Sequence, residues 1–218
     1  MNEEAKSLEN IEFETKYRVE DQNLIVFKQI LDGLQEEKKF IYVEGPDFYF
    51  TYPKWWFENN PQWDPGGTFG RYRKPSYGLD NGRRQVTCKY KPKDAKNSIQ
   101  RKEYNLNVTP ETNESVIFGQ FEAHGMQFNS SIIKNCHIYK LEDATLVFYT
   151  VYDTTDGTPK KADNFVEIEV DEDTISSKTE EQAWAVITKY ERLLEKVGLN
   201  AQKRLRKSLF EMYKRDKP

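Results

Sequence analysis

Charged residues recur at every second position in five separate stretches of this 218-residue sequence. The stretches are Glu12-Glu14-Lys16, Arg71-Arg73, Lys89-Lys91, Arg101-Glu103 and Glu167-Glu169. Because alternate side chains of a β-strand point to opposite faces, each stretch would place its charges on one face of a strand. Carboxylate oxygens bind hard cations, and arginine forks bind phosphates. The residue types therefore suit a site that holds a metal together with a phosphorylated ligand.

Two arrangements of these strands can be weighed from the sequence. If the charged faces point outward, they form ordinary solvated surface, and the C-terminal helices must cover the apolar face of an open sheet. If the sheet curls into a closed barrel, the charges line a polar interior and the apolar face is covered from outside. Buried charges must then be paired, metal-bound or ligand-bound. The repetition over five strands favours the barrel.

The remaining elements follow from periodicity and turn signals. Alternation and helical spacing predict further strands and helices around the charged stretches. Gly45-Pro46 is expected to split two short strands, Asn81-Gly82 to form a hairpin turn, and Gly198 to end a long helix. The predicted strands include Lys39–Val43, Phe48–Tyr52, Ser130–Tyr139, Ala144–Asp153 and Asn164–Asp171, and the predicted helices include Glu111–Gly125, Thr179–Val197 and Asn200–Tyr213.

Residues 53–67 form a predicted loop that is rich in Trp, Pro, Gly and Asn. Its tryptophans, Trp55, Trp56 and Trp63, could pack on the body of the protein as a cover. They could instead form a lid over a pocket or a surface on which a base stacks. We favour the covering loop.

The composition limits the class of protein. The chain has 33 basic and 36 acidic residues and a net charge of -3, whereas a dedicated nucleic-acid binder usually carries a basic surplus. It contains no apolar run long enough to cross a membrane and no signal-peptide core. We therefore expect a cytoplasmic protein without a membrane partner, folded as a single domain over residues 1–218. Cys88 and Cys136 show no metal-ligand spacing and are expected to be reduced.

Taken in chain order, these motifs resemble those of the CYTH superfamily, the triphosphate tunnel metalloenzymes. The hallmark of that family is a first-strand Glu-x-Glu-x-Lys, which Glu12, Glu14 and Lys16 match. Asp47-Phe48-Tyr49-Phe50 is similar to a second family pattern, and the later charged pairs follow in family order. The closing segment, with Gly198-Leu199 and Arg206-Lys207-Ser208, resembles the class IV adenylate cyclase and thiamine triphosphatase branch.

The resemblance implies an α+β fold, a closed eight-stranded antiparallel β-barrel with helices packed outside. Its interior would be a tunnel that binds a triphosphate with Mg²⁺ or Mn²⁺. The metal ligands implied are Glu12, Glu14, Glu167 and Glu169, with Glu103 and Asp153 as further candidates. The catalytic and phosphate-binding cations implied are Lys16, Arg71, Arg73, Lys89, Lys91 and Arg101, with Lys134 as a further substrate-binding residue.

Three activities stay open at this point. The first is hydrolysis of inorganic triphosphate, thiamine triphosphate, a nucleoside triphosphate or an RNA 5′ end. The second is a class IV-type adenylate cyclase that converts ATP to cyclic AMP and pyrophosphate. The third is binding of a nucleotide or polyphosphate without turnover, which Cys136 favours because it stands where the family pattern has an arginine. A small-molecule triphosphate or nucleotide is the expected partner in all three, and a homodimer is left open.

Overall fold

The computed structural model describes residues 10–35, 40–78, 84–94, 100–154, 157–171 and 180–215. Within these ranges, the side chains of residues 10–12, 34–35, 40, 77–78 and 100–101 are not described. The predicted turn at Asn81-Gly82 lies outside the described residues.

Strands of the described residues form one antiparallel sheet that returns to its starting strand. The pairing runs β3-β5-β6-β1-β9-β8-β7-β2, and β2 pairs again with β3 over four residue pairs from Asp47↔Arg73 to Phe50↔Gly70. The short β4 pairs with β2 beside this ring. The predicted eight-stranded antiparallel barrel is therefore confirmed. The strands are β1 Asn10–Val19, β2 Phe40–Thr51, β3 Phe69–Arg73, β4 Tyr77–Gly78, β5 Arg84–Tyr90, β6 Gln100–Val108, β7 Gln127–Lys140, β8 Ala144–Asp153 and β9 Lys160–Val170.

Helices cover the outside of the ring. They are α1 Leu24–Gln35, α2 Lys54–Asn59, α3 Glu114–Ala123, α4 Glu180–Leu194 and α5 Leu209–Tyr213. Apolar residues of α1 and α4 form one core with the outward-facing residues of β1, β8 and β9, including Val166 and Ile168. On another side, Phe121 of α3 stacks on Phe50 of β2 with ring centroids 4.1 Å apart. Since the apolar faces point to the helices, the alternating charges point into the barrel.

The segment 205–213, which includes α5, fills one end of the barrel, and we call it the stopper. Leu209 and Phe210 are buried in a core with Tyr49, Phe69 and Tyr149 of the strands. The backbone N–H of residue 205 donates to the carbonyl of residue 16 at 2.7 Å. The stopper is therefore part of the barrel core and not a peripheral tail.

The two strands predicted on either side of Gly45-Pro46 are one continuous strand, β2. A Cβ atom at Gly45 would overlap the carbonyl oxygen of Lys74, and the N–H of Lys74 donates to the carbonyl of Pro46 at 3.0 Å. Pro46 keeps its register partner Ile133 on β7. The Gly-Pro pair therefore marks the place where another chain segment crosses β2 closely, and the predicted break was wrong.

The prediction of a helix over Asn200–Tyr213 was also wrong. Only a 3-10 turn at Ala201–Lys203 and the short α5 form there. Between them the chain follows tertiary contacts, because the Arg204 guanidinium donates two 2.6 Å hydrogen bonds to the buried carboxylate of Glu191. Ser208 then starts α5 by exchanging capping hydrogen bonds with Glu211.

The predicted long helix is confirmed as α4, which is followed by a 3-10 turn at Glu195–Val197. Gly198 ends this turn with φ 71°, the left-handed conformation that glycine adopts without a steric penalty.

Among the described residues, no helix is both long enough and apolar enough to cross a membrane.

The Trp-rich segment contains α2 and mostly packs on the body of the protein. Trp56 stacks on Tyr52 with centroids 3.8 Å apart, and Trp63 lies 5.4 Å from Tyr90. Trp55 is 59% exposed. Two of the three tryptophans therefore act as the predicted cover.

Candidate functional site

A cavity of about 520 Å³ lies inside the ring and is lined by residues from all eight strands of the barrel. The site residues predicted from sequence that meet there are Glu14, Lys16, Arg71, Arg73, Lys89, Glu103, Lys134, Glu167 and Glu169. The backbones of Glu12 and Arg101 pair across β1 and β6, but their side chains lie outside the described set. The structure therefore brings together charges from strands that are far apart in sequence.

Two predicted site residues have other surroundings. Lys91 follows the end of β5 and forms an ion pair of 3.0 Å with Asp64 of the Trp-rich segment. Asp153 ends β8 beyond a register shift between Val151 and Tyr152, which interrupts the alternation. Neither residue is among those lining the cavity.

Four carboxylates form one side of the cavity, which we call the carboxylate wall: Glu14, Glu103, Glu167 and Glu169. They come from the neighbouring strands β6, β1 and β9, and Glu14 is the register partner of Glu169. Two of these carboxylates form ion pairs with lysines. Nζ of Lys16 lies 2.8 Å from Oε1 of Glu167, and Nζ of Lys89 lies 2.8 Å from Oε2 of Glu103.

The negative charge on this wall is concentrated near Glu169. Burial, followed by repulsion from Glu14 and the other two carboxylates, raises the pKa of Glu169 to about 7. Burial also acts to raise the pKa of Glu167, but the adjacent Lys16 outweighs it and lowers that pKa. The pair Glu14 and Glu169 is therefore the part of the wall where an added cation would relieve the most repulsion.

The opposite side carries Arg71 and Arg73 on β3 and Lys134 on β7, which we call the basic wall. Asp47 of β2 lies among them and is 1% exposed. It accepts hydrogen bonds from Nε and Nη2 of Arg73 at 2.8 and 3.0 Å, and Nζ of Lys134 is 3.9 Å away. Burial acts to raise the pKa of Asp47, but Arg73, with Lys134 and Arg71, holds it well below its usual range.

Lys134 and Arg71 are incompletely neutralised on this wall. Burial and the neighbouring Arg73 lower the pKa of Lys134, whose Nζ also sits 4.1 Å from the centre of the Tyr149 ring. Arg71 donates from Nη2 to Thr87 Oγ1 at 3.1 Å, but its Nε is buried without a hydrogen-bond partner. Buried donors are nearly always paired, so an orphaned arginine Nε in a cavity indicates a place for an anion.

Some residues of the cavity were not recognised as site residues from the sequence. Asp47 was quoted only as part of a motif. Lys140 is separated from Lys134 by an even number of residues on β7, so alternation places both on the cavity face and could have predicted it. Its ammonium donates to Oγ1 of Thr145 at 3.1 Å. Tyr149 does not line the cavity, but its hydroxyl donates to the lining residue Glu167 at 2.8 Å; it lies in an apolar run that gives no such signal.

Cys136 lines the cavity between the basic wall and β8 and is buried. Burial raises the pKa of its thiol, so it adds no charge to the wall. Beside the basic wall, the cavity therefore has a small neutral group at this position.

The residues present suit a hard cation bound together with a phosphate ligand. Within the described part of the chain, no three Asp, Glu, His or Cys side chains lie close enough to hold a metal on their own. Mg²⁺, however, is commonly held by one or two carboxylates together with water and substrate phosphates. Glu14 and Glu169 provide such a carboxylate pair, and the raised pKa of Glu169 reports the negative charge that a cation would balance.

The raised pKa of Glu169 predicts how the stability of the metal-free protein depends on pH. Its pKa is raised from 4.5 to about 7, so the folded state binds this proton more tightly than the unfolded state. The proton on Glu169 therefore stabilises the folded state. This stabilisation is complete below the pKa of Glu169 in the unfolded chain and is lost as the pH rises through its pKa in the folded protein. In a chelator, Glu169→Gln is expected to melt above the wild type at about pH 8 and close to it at about pH 5. Melting temperatures of both proteins across this range measure the effect.

Glu122→Gln on the exposed face of α3 serves as the control, because that side chain is in solvent. Its melting temperature should follow the wild type at every pH. A constant difference between Glu169→Gln and the wild type across the range would show that Glu169 does not take up a proton there.

Comparisons with known proteins give a match in structure alone. No family model matches the sequence, and no curated protein matches it. Two proteins of Pyrococcus horikoshii superpose with TM-scores of 0.62 at 20% and 24% identity, covering 92% of this chain and 97% and 98% of theirs. A proposed adenylate cyclase from Vibrio parahaemolyticus superposes with a TM-score of 0.56 at 14% identity, covering 94% of this chain and 98% of its own. The chain therefore shares the fold of these proteins.

Proposed function

We propose that this protein is a metal-dependent hydrolase acting on a triphosphate bound in the barrel. The observation that carries the proposal is that the carboxylate wall and the basic wall face each other across one cavity. In the ring of eight strands, β6, β1 and β9 lie four strands away from β7, β2 and β3. A triphosphate bound with a divalent cation presents both a positive centre and several anionic oxygens, and this arrangement matches both.

The basic wall would bind the phosphate oxygens. Arg71 offers an orphaned Nε, and Arg73 and Lys134 are held in place by Asp47. Lys16 and Lys89 project from the opposite side, next to Glu167 and Glu103. Positioned cations of this kind stabilise the charge that develops on a transferring phosphoryl group, which is the main contribution of the protein in such reactions.

The carboxylate pair Glu14 and Glu169 would hold Mg²⁺ or Mn²⁺. When bound, the cation would neutralise phosphate charge and orient the triphosphate. In hydrolysis, the oxygen of water joins the terminal phosphorus while the bond from that phosphorus to its bridging oxygen breaks. The bridging oxygen leaves with the diphosphate portion.

Cyclisation of ATP is the second candidate, since a protein of the same fold is a proposed adenylate cyclase. The same walls would serve, but the 3′-hydroxyl of ATP would attack the α-phosphorus and release pyrophosphate.

One assay separates the candidates: incubation with Mg²⁺ or Mn²⁺ and tripolyphosphate, ATP, GTP or thiamine triphosphate, followed by measurement of phosphate, pyrophosphate and cyclic nucleotide. Phosphate without cyclic product supports hydrolysis, cyclic AMP with pyrophosphate supports cyclisation, and binding without any product removes both.

Arg71→Ala is expected to raise KM for the triphosphate by about 10- to 100-fold, the scale of one or two charge-assisted hydrogen bonds. The substitution removes the guanidinium with the orphaned Nε. Arg71→Lys should recover only part of the loss, because lysine keeps the charge without the fork. Steady-state kinetics on the preferred triphosphate give the values.

Arg192→Ala, on the exposed face of α4, is the matched control and should leave KM unchanged. If Arg71→Ala had the same KM as this control, Arg71 would not contact the substrate.

A further inference from the structure

Tyr149 of β8 lies behind the lining of the cavity, between groups that belong to the two walls. Its side chain is fully buried, and its register partners are Cys136 of β7 and Phe165 of β9. Leu209 and Phe210 of the stopper belong to the same core. In the ring, β8 separates β9, which carries part of the carboxylate wall, from β7, which carries part of the basic wall. Tyr149 therefore occupies a seam between the two walls.

The hydroxyl of Tyr149 acts on the carboxylate wall. It donates to Oε1 of Glu167 at 2.8 Å, and Nζ of Lys16 lies 2.8 Å from the same oxygen. Hydrogen bonds to a charged group are about twice as strong as those between neutral groups. Because two donors meet on one oxygen, the phenol fixes the carboxylate against which the ammonium of Lys16 is held.

The ring of Tyr149 acts on the basic wall. Nζ of Lys134 lies 4.1 Å from the centre of the ring, and Lys134 is buried, so its ammonium has lost most of its contact with water. A cation over an aromatic face is stabilised most where it is desolvated. Asp47 gives its two short hydrogen bonds to Arg73 and lies 3.9 Å from Nζ of Lys134. The ring therefore supports an ammonium that Asp47 holds only as a long ion pair.

The composition of β8 also points to a role beyond packing. The neighbouring inward-facing residues of this strand, Val147 and Val151, are aliphatic. A hydroxyl placed in such a row is costly to bury unless it finds a hydrogen-bond partner. The hydroxyl of Tyr149 finds a carboxylate of the cavity, so the polar atom of this side chain is directed at the site.

From these contacts we infer that Tyr149 is a positioning residue of the triphosphate site and sets the placement of one lysine on each wall. Its hydroxyl acts on Lys16 through Glu167, and its ring acts on Lys134 directly. The inference rests on the proposed binding of a triphosphate between the two walls. Both lysines line the cavity and Tyr149 does not, so Tyr149 acts through them and not by contact with the substrate.

The two ends of the side chain have separable effects. Lys134 belongs to the basic wall, which binds phosphate oxygens, so the ring bears on the affinity for the triphosphate. Lys16 stands beside the carboxylates that hold the cation, where charge develops on the transferring phosphoryl group, so the hydroxyl bears on turnover.

Two substitutions test these effects with Mn²⁺ and the best substrate among the four triphosphates assayed above. Tyr149→Phe removes the hydroxyl and keeps the ring, so kcat should fall about tenfold or more while KM stays within about twofold. Tyr149→Leu removes the ring as well and should in addition raise KM about tenfold. Tyr190→Phe is the matched control, because it removes a hydrogen bond from a phenol to the carboxylate of Asp143 outside the barrel. It should keep the wild-type kcat and KM.

Double-mutant cycles distinguish positioning from packing. In the Lys134→Met background, Tyr149→Leu should not raise KM further, because the ring then has no ammonium to hold. In the Lys16→Met background, Tyr149→Phe should not lower kcat further. A loss of core packing would instead give the same fold reductions in every background, and that outcome would overturn the inference. Wild-type constants in both single variants would overturn it as well.

Melting temperatures check that each variant is folded, and if Tyr149→Leu does not fold, the cycle of Tyr149→Phe with Lys16→Met decides. If the wild type binds a triphosphate but turns none over, the proposed hydrolase activity fails. Dissociation constants from calorimetry then replace KM in the cycle with Lys134→Met, so the positioning role is tested independently of catalysis. Additive effects in an active enzyme would overturn the positioning role alone. A wild type that binds none of the four triphosphates would overturn both proposals.

Discussion

Replacing Asp47 by asparagine is expected to lower the free energy of unfolding by about 3 kcal/mol, the lower end of the range for removing one partner of a buried ion pair. Asp47 is 1% exposed and accepts both hydrogen bonds of the Arg73 fork, with Lys134 at 3.9 Å. Asparagine keeps the volume but removes the charge, so two cations remain on the basic wall without their carboxylate. The lower end applies because the Arg73 side chain is 29% exposed and water can partly solvate it.

Urea denaturation of the wild type and of Asp47→Asn measures this loss. The control is Asp64→Asn, which breaks the more exposed pair with Lys91 and should cost less than about 1 kcal/mol. The double variant Asp47→Asn/Lys134→Met should recover part of the stability, since it removes one of the uncompensated cations. A loss for Asp47→Asn no larger than that of the control would show that water in the cavity already compensates the basic wall.

Glu14→Gln is expected to reduce metal-dependent turnover by about 100-fold or more, the scale seen when one preorganised charge-stabilising group is removed from an active site. Glu14 is the register partner of Glu169, and this pair is the proposed cation site. Glutamine keeps the shape of the side chain and removes its charge, so the fold should be preserved while the affinity for Mn²⁺ or Mg²⁺ falls.

Steady-state rates over a titration of Mn²⁺, together with calorimetric binding of Mn²⁺ in the presence of tripolyphosphate, measure the two effects separately. Circular dichroism checks that the fold is kept. Glu122→Gln, on the surface of α3, should behave as the wild type in every measurement. Wild-type activity and Mn²⁺ affinity in Glu14→Gln would remove Glu14 from the site.

Much of the barrel could be predicted because its strands carry information on both faces. On β1, Lys16 points into the cavity while its neighbour Tyr17 is buried in the core under α4. Such a strand fits only one orientation. The region after Gly198 lacks this double constraint. Leu205, Leu209 and Met212 have helical spacing, but they pack into the barrel end, and the chain between Arg204 and Ser208 is set by partners elsewhere in the sequence.

The candidate site was predictable where alternation continued within a strand, as for Arg71 and Arg73 on β3. The alternation does not predict the cavity lining beyond the end of a strand. Lys91 follows the last residue of β5 and forms an ion pair with Asp64 instead of lining the cavity. Asp47 was hidden for a different reason. Its role depends on the pairing of β2 with β3, which places it opposite Arg73, and no local pattern reports a pairing between distant segments.

The pairing of β1 also governs how the molecule can fold. β1 is hydrogen-bonded to β6 on one edge and to β9 on the other. The edge that faces β9 therefore has no partner until β9, which lies far along the chain, has joined the sheet. Contacts between such distant segments slow folding, and an exposed strand edge invites association with other chains meanwhile. Refolding from denaturant should therefore be slow and should give higher yields at low protein concentration.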